Sequence, residues 1–260
     1  MKAALHAEWT KLRTVAGTIW LLLATIALTV AVSAAAAATV KCPSAGSNLD
    51  ATKLSLSGIE LGQALVAILA VVTISSEYGT GMIGVTLTAM PRRATVLAAK
   101  AAVVTGVVLA AGTVAVPVSL LAGRLILPGH GFTPAHGYPL LSLADGPVLR
   151  AAAGSVLYLA LIALLSLGAA TAVRDSATAI GVVLGLLYLF PIIAAAVADP
   201  QWQRHLQQIG PMSAGLAIQA TTNLDSLPIS PWAGLGVLAA WAAAALLAGG
   251  LLLCLRDAWR

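Results

Sequence analysis

The chain has 260 residues, of which 60% are hydrophobic and only 9% charged, with a mean hydropathy of +0.96 and a formal net charge of +5. An ordinary soluble domain carries about 25% charged residues, so this chain has too little polar surface to cover a globule in water, and a soluble fold is excluded. The basic balance does not point to nucleic acid, because the basic residues sit between apolar runs, where they set orientation in a membrane.

The chain opens on an amphipathic stretch, residues 1–14. Met1, Leu5, Trp9 and Leu12 fall on one helical face, while His6, Thr10 and Lys11 lie elsewhere. Such a helix suits the inner membrane interface, with Trp9 at headgroup depth. The alternative reading is a basic flank that only sets topology.

Six runs then lack charge: Arg13 to Lys41, Glu60 to Glu77, Lys100 to Arg124, Arg150 to Arg174, Asp175 to Asp199, and Asp225 to Arg256. Roughly 20 apolar residues cross the hydrocarbon layer as a helix. The runs predict spans at about 15–40, 56–76, 97–123, 150–173, 176–198 and 231–255. Five reach that length alone; the second needs the stretch from Leu56, which includes Glu60. In the fifth, Ile180, Val183, Leu187, Phe190 and Ile193 each favour insertion by about 0.3–0.6 kcal/mol with no charge opposing them. Pro191 is tolerated there because neighbouring helices satisfy the freed carbonyl. The first run, after Lys2, Lys11 and Arg13, is longer than the roughly 7–15-residue apolar core of a secretory signal, so it reads as a retained helix despite Ala34–Ala38.

With the amino terminus inside, the inner side holds Lys2, Lys11, Arg13, Arg92, Arg93, Lys100, Arg174, Arg256 and Arg260, and the outer side Lys41, Lys53, Arg124, Arg150 and Arg204. The basic excess puts both termini in the cytoplasm of a multi-pass cell-membrane protein. Cys42 and Cys254 then lie on opposite sides, so no disulfide framework is expected.

Residues 77–95 form an inner loop, beginning EYGTGMIGVTLTAMPRR. Thr80 suits the cap of a short helix, Ile83, Leu87 and Met90 would share its face, and Pro91 ends it. The segment is too apolar for a plain connector; lipid, its own bundle and a cytoplasmic partner are all open as the surface it packs on. The outer loop 128–147 is rich in Gly and Pro, and its His130 and His136 read as solvated rather than metal-binding. The outer loop 199–230 is long enough to carry its own structure. Asp199 suits a helix cap with Pro200 first, and Trp202, Leu206 and Ile209 follow at helical spacing before Gly210-Pro211. A second short piece is expected near Ser213–Gln219, the pair resting on or dipping into the outer interface. Two small-residue pairs, Gly58 with Gly62 and Gly181 with Gly185, permit close helix contact.

Some chemistry is missing from the sequence. All four histidines, His6, His130, His136 and His205, fall outside the predicted spans. No Gly-x-x-x-x-Gly-Lys-[Ser/Thr] run is present, so nucleotide hydrolysis through a P-loop is not expected of this chain. Ion-coupled carriers place acids or bases inside spans; only Glu60 is read that way, near one end.

The opening Glu8-Trp9-Thr10-Lys11-Leu12-Arg13-Thr14 before a long first span, together with Glu77-Tyr78-Gly79-Thr80-Gly81-Met82-Ile83, Pro91-Arg92-Arg93 and Lys100, resembles the type-2 ABC transporter permeases, and most the short, alanine-rich members typical of actinobacteria. The likeness covers the whole six-span plan. It implies an all-α integral membrane protein with an N-terminal interfacial connecting helix, a cytoplasmic coupling helix between spans two and three, and re-entrant or interfacial outer helices before span six. It implies an exporter subunit that forms the translocation pathway as a homodimer or a related heterodimer, driven by a pair of cytoplasmic ABC ATPase subunits. ATP and Mg would be used by that partner, with no cofactor, metal or catalytic residue expected in this chain. The resemblance places Glu77, Tyr78, Ile83, Leu87, Met90, Arg92 and Arg93 at the ATPase, Leu5, Trp9 and Leu12 on the interfacial helix, Glu60 at the pathway or dimer seam, and Trp202, Leu206 and Ile209 at an outer gate. Glu77→Ala or Leu87→Asp would leave expression intact and uncouple ATP hydrolysis from transport. The other function class in play is a membrane-embedded assembly factor or sensor beside an ATPase.

Overall fold

The computed structural model describes residues 2–14, 16–41, 49–79, 82 and 93–255. Every regular element among them is helical. The α-helices are α1 (Lys2–Thr14), α2 (Ala16–Thr39), α3 (Ala51–Ser55), α4 (Ile59–Gly79), α5 (Arg93–Ile126), α6 (Gly146–Val173), α7 (Ser176–Ala196), α8 (Pro200–Ile209), α9 (Pro211–Leu216) and α10 (Pro231–Leu255). Six of them, α2, α4, α5, α6, α7 and α10, are long and apolar enough to cross a membrane.

Their boundaries follow local chemistry. The last helix matches the predicted 231–255: Pro231 occupies its first position, where its missing N–H costs nothing. The second starts three residues later than predicted, at Ile59. Asp50 caps the short α3 by accepting from the amides of Thr52 and Lys53, and the chain turns at 56–58 before α4 begins. The third is longer than the predicted 97–123, starting at Arg93 and carrying Lys100 within its first turns. Between α6 and α7 the chain turns in two residues. Arg174 takes a left-handed conformation (φ 68°) that ends α6, and Asp175 accepts from the Thr178 amide to start α7. Hydrogen bonds from Thr178 hold the exposed Asp175 carboxyl below the usual aspartate value.

The core is built around α4 and α6, the two most buried of the six. Tyr158, Leu159, Ile162 and Leu165 of α6 are fully enclosed, with Ile59, Ala70 and Ile74 of α4 and Leu238 of α10 around them. Small residues set how closely the axes approach. A Cβ on Gly168 would lie 2.5 Å from the backbone of Ala245 and Leu246, and one on Gly249 would lie 2.5 Å from the Gly168 carbonyl, so α6 and α10 touch backbone to backbone. Of the two predicted small-residue pairs, Gly58 and Gly62 press against Thr29 and Ser33 of α2, whereas nothing lies within 4 Å of a Cβ on Gly181 or Gly185.

Successive long helices run in opposite directions, giving the bundle an α1 end and an opposite end. At the α1 end, Arg93 donates to the Leu253 carbonyl (2.7 Å) and Ser176 to Ser75 (2.8 Å). At the opposite end, the Asp50 carboxylate also accepts from the hydroxyl and amide of Thr221 and the amide of Thr222, and Arg150 donates to the Ala220 carbonyl. These bonds clasp the segment before α10 to the start of α3 and the first turns of α6.

Candidate functional site

The densest polar chemistry lies at the α1 end. Lys100 of α5 is 1% exposed, and its Nζ donates to Glu8 Oε2 at 2.7 Å and Glu77 Oε1 at 2.7 Å, with the Thr73 carbonyl at 3.5 Å. Lys11 of α1 donates to the same Glu77 oxygen at 2.7 Å and to Glu8 Oε1 at 3.2 Å. Two acids and two bases thus join three helices, and their charges sum to zero.

Energetics demand this company. An isolated buried ammonium loses several kcal/mol of hydration, which only close acids offset. Glu8 sits on the inward face of α1, 2% exposed, and Glu77 on the last turns of α4. Lys11 is the outermost member, 40% exposed at its side chain. Partial burial lowers its proton affinity, but the hydrogen bond and charge of Glu77, with those of Glu8, outweigh this and hold it above the usual lysine value. The four residues, with Leu21, Leu69, Val72 and Met82, line a cleft of about 350 Å³ open beside α1.

The predicted coupling residues divide. Glu77, Tyr78 and Arg93 gather at this end: Tyr78 is half-buried under the Arg174 guanidinium, whose carbon is 5.5 Å from the ring centroid. Thr80, Ile83, Leu87, Met90, Pro91 and Arg92 lie outside the described residues. On α1, Leu5 is half-buried, Trp9 is 46% exposed, and the Leu12 side chain lies outside the described set. Among the described side chains of α1, the one buried in the bundle is Glu8.

Glu8 and Lys100 were the residues sequence reasoning passed over. Lys100 bounds the third charge-free run in the sequence, and it lies inside the helix as it does inside the predicted 97–123. Glu8 is the only acid before Asp50, and that isolation was the available signal.

At the opposite end, Glu60 is exposed in the first turn of α4, where a carboxylate suits the helix N-terminus. It shares a cleft of about 360 Å³ with Lys53, Pro191, Gln203, Gln207 and Met212. One turn further in, buried Gln63 donates to the Glu60 carbonyl and accepts from the Tyr158 hydroxyl, a polar link between α4 and α6.

The segment before α10 folds as two helices, as its spacing predicts. Asp199 accepts from the Gln201 amide and Pro200 is first in α8. Of the predicted gate residues, Trp202 and Ile209 are exposed and Leu206 is half-buried. The following residues turn inward instead. Met212, Leu216, Ile218 and Gln219 are buried between α6 and α10, with Gln219 donating to Ser155 at 3.2 Å. The missed signal was the charge-free stretch between Arg204 and Asp225.

Among the described residues, no group of three His, Cys, Asp or Glu side chains is placed to hold a metal ion. Cys254 is a free, exposed thiol; Cys42 lies outside the described residues. No protein-family model matches the chain, and no curated protein matches it.

Proposed function

We propose that this chain is the membrane-spanning permease subunit of an ABC exporter, driven by a separate ATP-binding subunit pair and completed by a second permease copy or a related chain. The observation that carries the reading is the link from α1 to α4 and α5 through Glu8, Lys11, Glu77 and Lys100. A helix outside the bundle is tied by charge to the two spans that carry the ends of residues 77–95, the expected coupling loop. A force applied to either the loop or α1 would reach the same pair of spans.

Two further features support it. The inward turn of residues 211–220 at the far end gives an independent element where an outer gate is needed. The free Trp9 and half-buried Leu5 leave α1 an apolar edge for lipid or an ATPase surface. In this reading the α1 end faces the cytoplasm of the cell membrane, and Ile83, Leu87 and Met90 meet the ATPase.

The test is purification of the tagged full-length chain in mild detergent, with every stoichiometric partner identified. A co-purifying P-loop ATPase is the expected result. Recovery of the chain with no ATPase, from cells in which its membrane level is normal, overturns the proposal.

A further inference from the structure

Glu77 uses only one of its carboxylate oxygens in the cluster. Lys11 and Lys100 both meet Oε1 at 2.7 Å, while Oε2 is buried without a hydrogen-bond partner among the described residues. A carboxylate has acceptor sites on both oxygens, so this crowding leaves a second seat for an ammonium.

The cluster can also be divided without burying a net charge. Glu8 and Lys11 are three residues apart on α1 and already paired at 3.2 Å. Glu77 and Lys100 are paired across α4 and α5 at 2.7 Å. Among the described residues, two ion pairs cross between α1 and the bundle: Glu8 to Lys100, and Lys11 to Glu77. If α1 lifts away, each side keeps one acid and one base. Stranding one buried charge is what makes breaking an ordinary buried pair costly, and that penalty is avoided here.

We infer that α1 is a charge-keyed lever with two neutral states: docked, with Glu8 holding Lys100, and released, with Lys100 held by Glu77 alone on both of its oxygens. Release shifts Lys100 toward α4, so movement of α1 changes how α4 and α5 are held together at that end. The lever deepens the permease reading and rests on it for the source of the force; the docking equilibrium itself does not need the ATPase.

Electron–electron distance measurement on the full chain in nanodiscs tests this directly. Spin labels replace exposed Thr10 on α1 and exposed Ala98 on α5, in a background with Cys42 and Cys254 changed to serine. One short, narrow distance is expected without further change. Glu8→Lys is expected to move the docked-to-released ratio at least about tenfold toward a longer distance, because the crossing attraction to Lys100 becomes a repulsion. Glu8→Lys with Lys100→Glu is expected to regain the short distance, since an acid and a base again face each other across the gap. Glu8→Gln, a near-isosteric change on a helix outside the spans, supplies an intermediate shift that does not depend on the folding of the doubled variant. An unchanged short distance in both Glu8→Lys and Glu8→Gln overturns the lever, as does a charge-swapped chain that elutes as wild type yet stays released. None of these readings depends on an ATPase, so a failed lever leaves the permease reading to its own test.

Discussion

Lys100 would sit in an apolar helix with a full charge and no water if its two acids were removed. Its position is tolerable only because Glu8 and Glu77 each reach it at 2.7 Å. Glu77 serves both lysines, so Glu77→Ala is expected to destabilise the chain by about 3–5 kcal/mol, the range for breaking a buried pair. Glu8→Ala should do less, because Lys100 and Lys11 keep Glu77. Thermal unfolding of the purified variants checks the order, and a smaller loss for Glu77→Ala contradicts it. The same geometry makes Leu87→Asp the cleaner coupling variant, since Glu77→Ala removes a structural link as well. Lys11 supplies a pH signature. Its folded-state proton affinity is raised, so its contribution is fully present below the ordinary lysine value and is lost as pH climbs through the raised folded value. The unfolding midpoint of wild type relative to Lys11→Met should therefore be constant from neutral pH to about 10 and narrow above it. A gap that closes already near pH 8 would mean that Lys11 is not the titrating group.

At the scale of elements, the contrast between the glycines is the sharpest. Alanine in place of a helical glycine is favoured by about 0.5–1 kcal/mol of backbone entropy where there is room. Gly181 has that room and Gly168 does not. Gly181→Ala is expected to hold or raise the unfolding midpoint, and Gly168→Ala to lower it by forcing α6 and α10 apart. Equal effects from the two would mean that the close crossing of α6 and α10 is wrong. The Asp50 clasp gives a second element-level expectation. Asp50→Ala removes the cap of α3 and the acceptor for Thr221 and Thr222 together. Protease sensitivity in 220–230 should rise, while the α1 end, on the other side of the bundle, stays as protected as in wild type.

The long helices were legible because insertion is a local sum: each long apolar run without charge is favourable on its own, whatever the rest of the chain does. Helix α10 could be read to the residue because Pro231 and Arg256 mark its limits in the sequence. Helix α4 could not, because its start depends on Asp50 closing a separate turn of helix first. The charge cluster was illegible for a different reason. Glu8 and Lys100 are 92 residues apart, and no spacing in the chain announces that they meet. Lys100 looks like a boundary until its neutralising acids are seen. The outer segment lies between these cases: Asp199 and Pro200 announced its first helix, but the inward turn of Met212 and Ile218 depends on the groove between α6 and α10.

At the scale of the whole molecule, the proposal is that the six-helix bundle is moved by an ATPase acting through residues 77–95 and α1. The most direct measurement is ATP hydrolysis by the purified complex in liposomes, with and without a lipophilic cargo, for the wild-type chain and for Leu87→Asp. The account predicts that cargo accelerates hydrolysis in the wild-type complex and that Leu87→Asp abolishes the acceleration. A wild-type complex that hydrolyses ATP at one rate whatever lipophilic cargo is supplied, or a Leu87→Asp chain that responds like wild type, would contradict it.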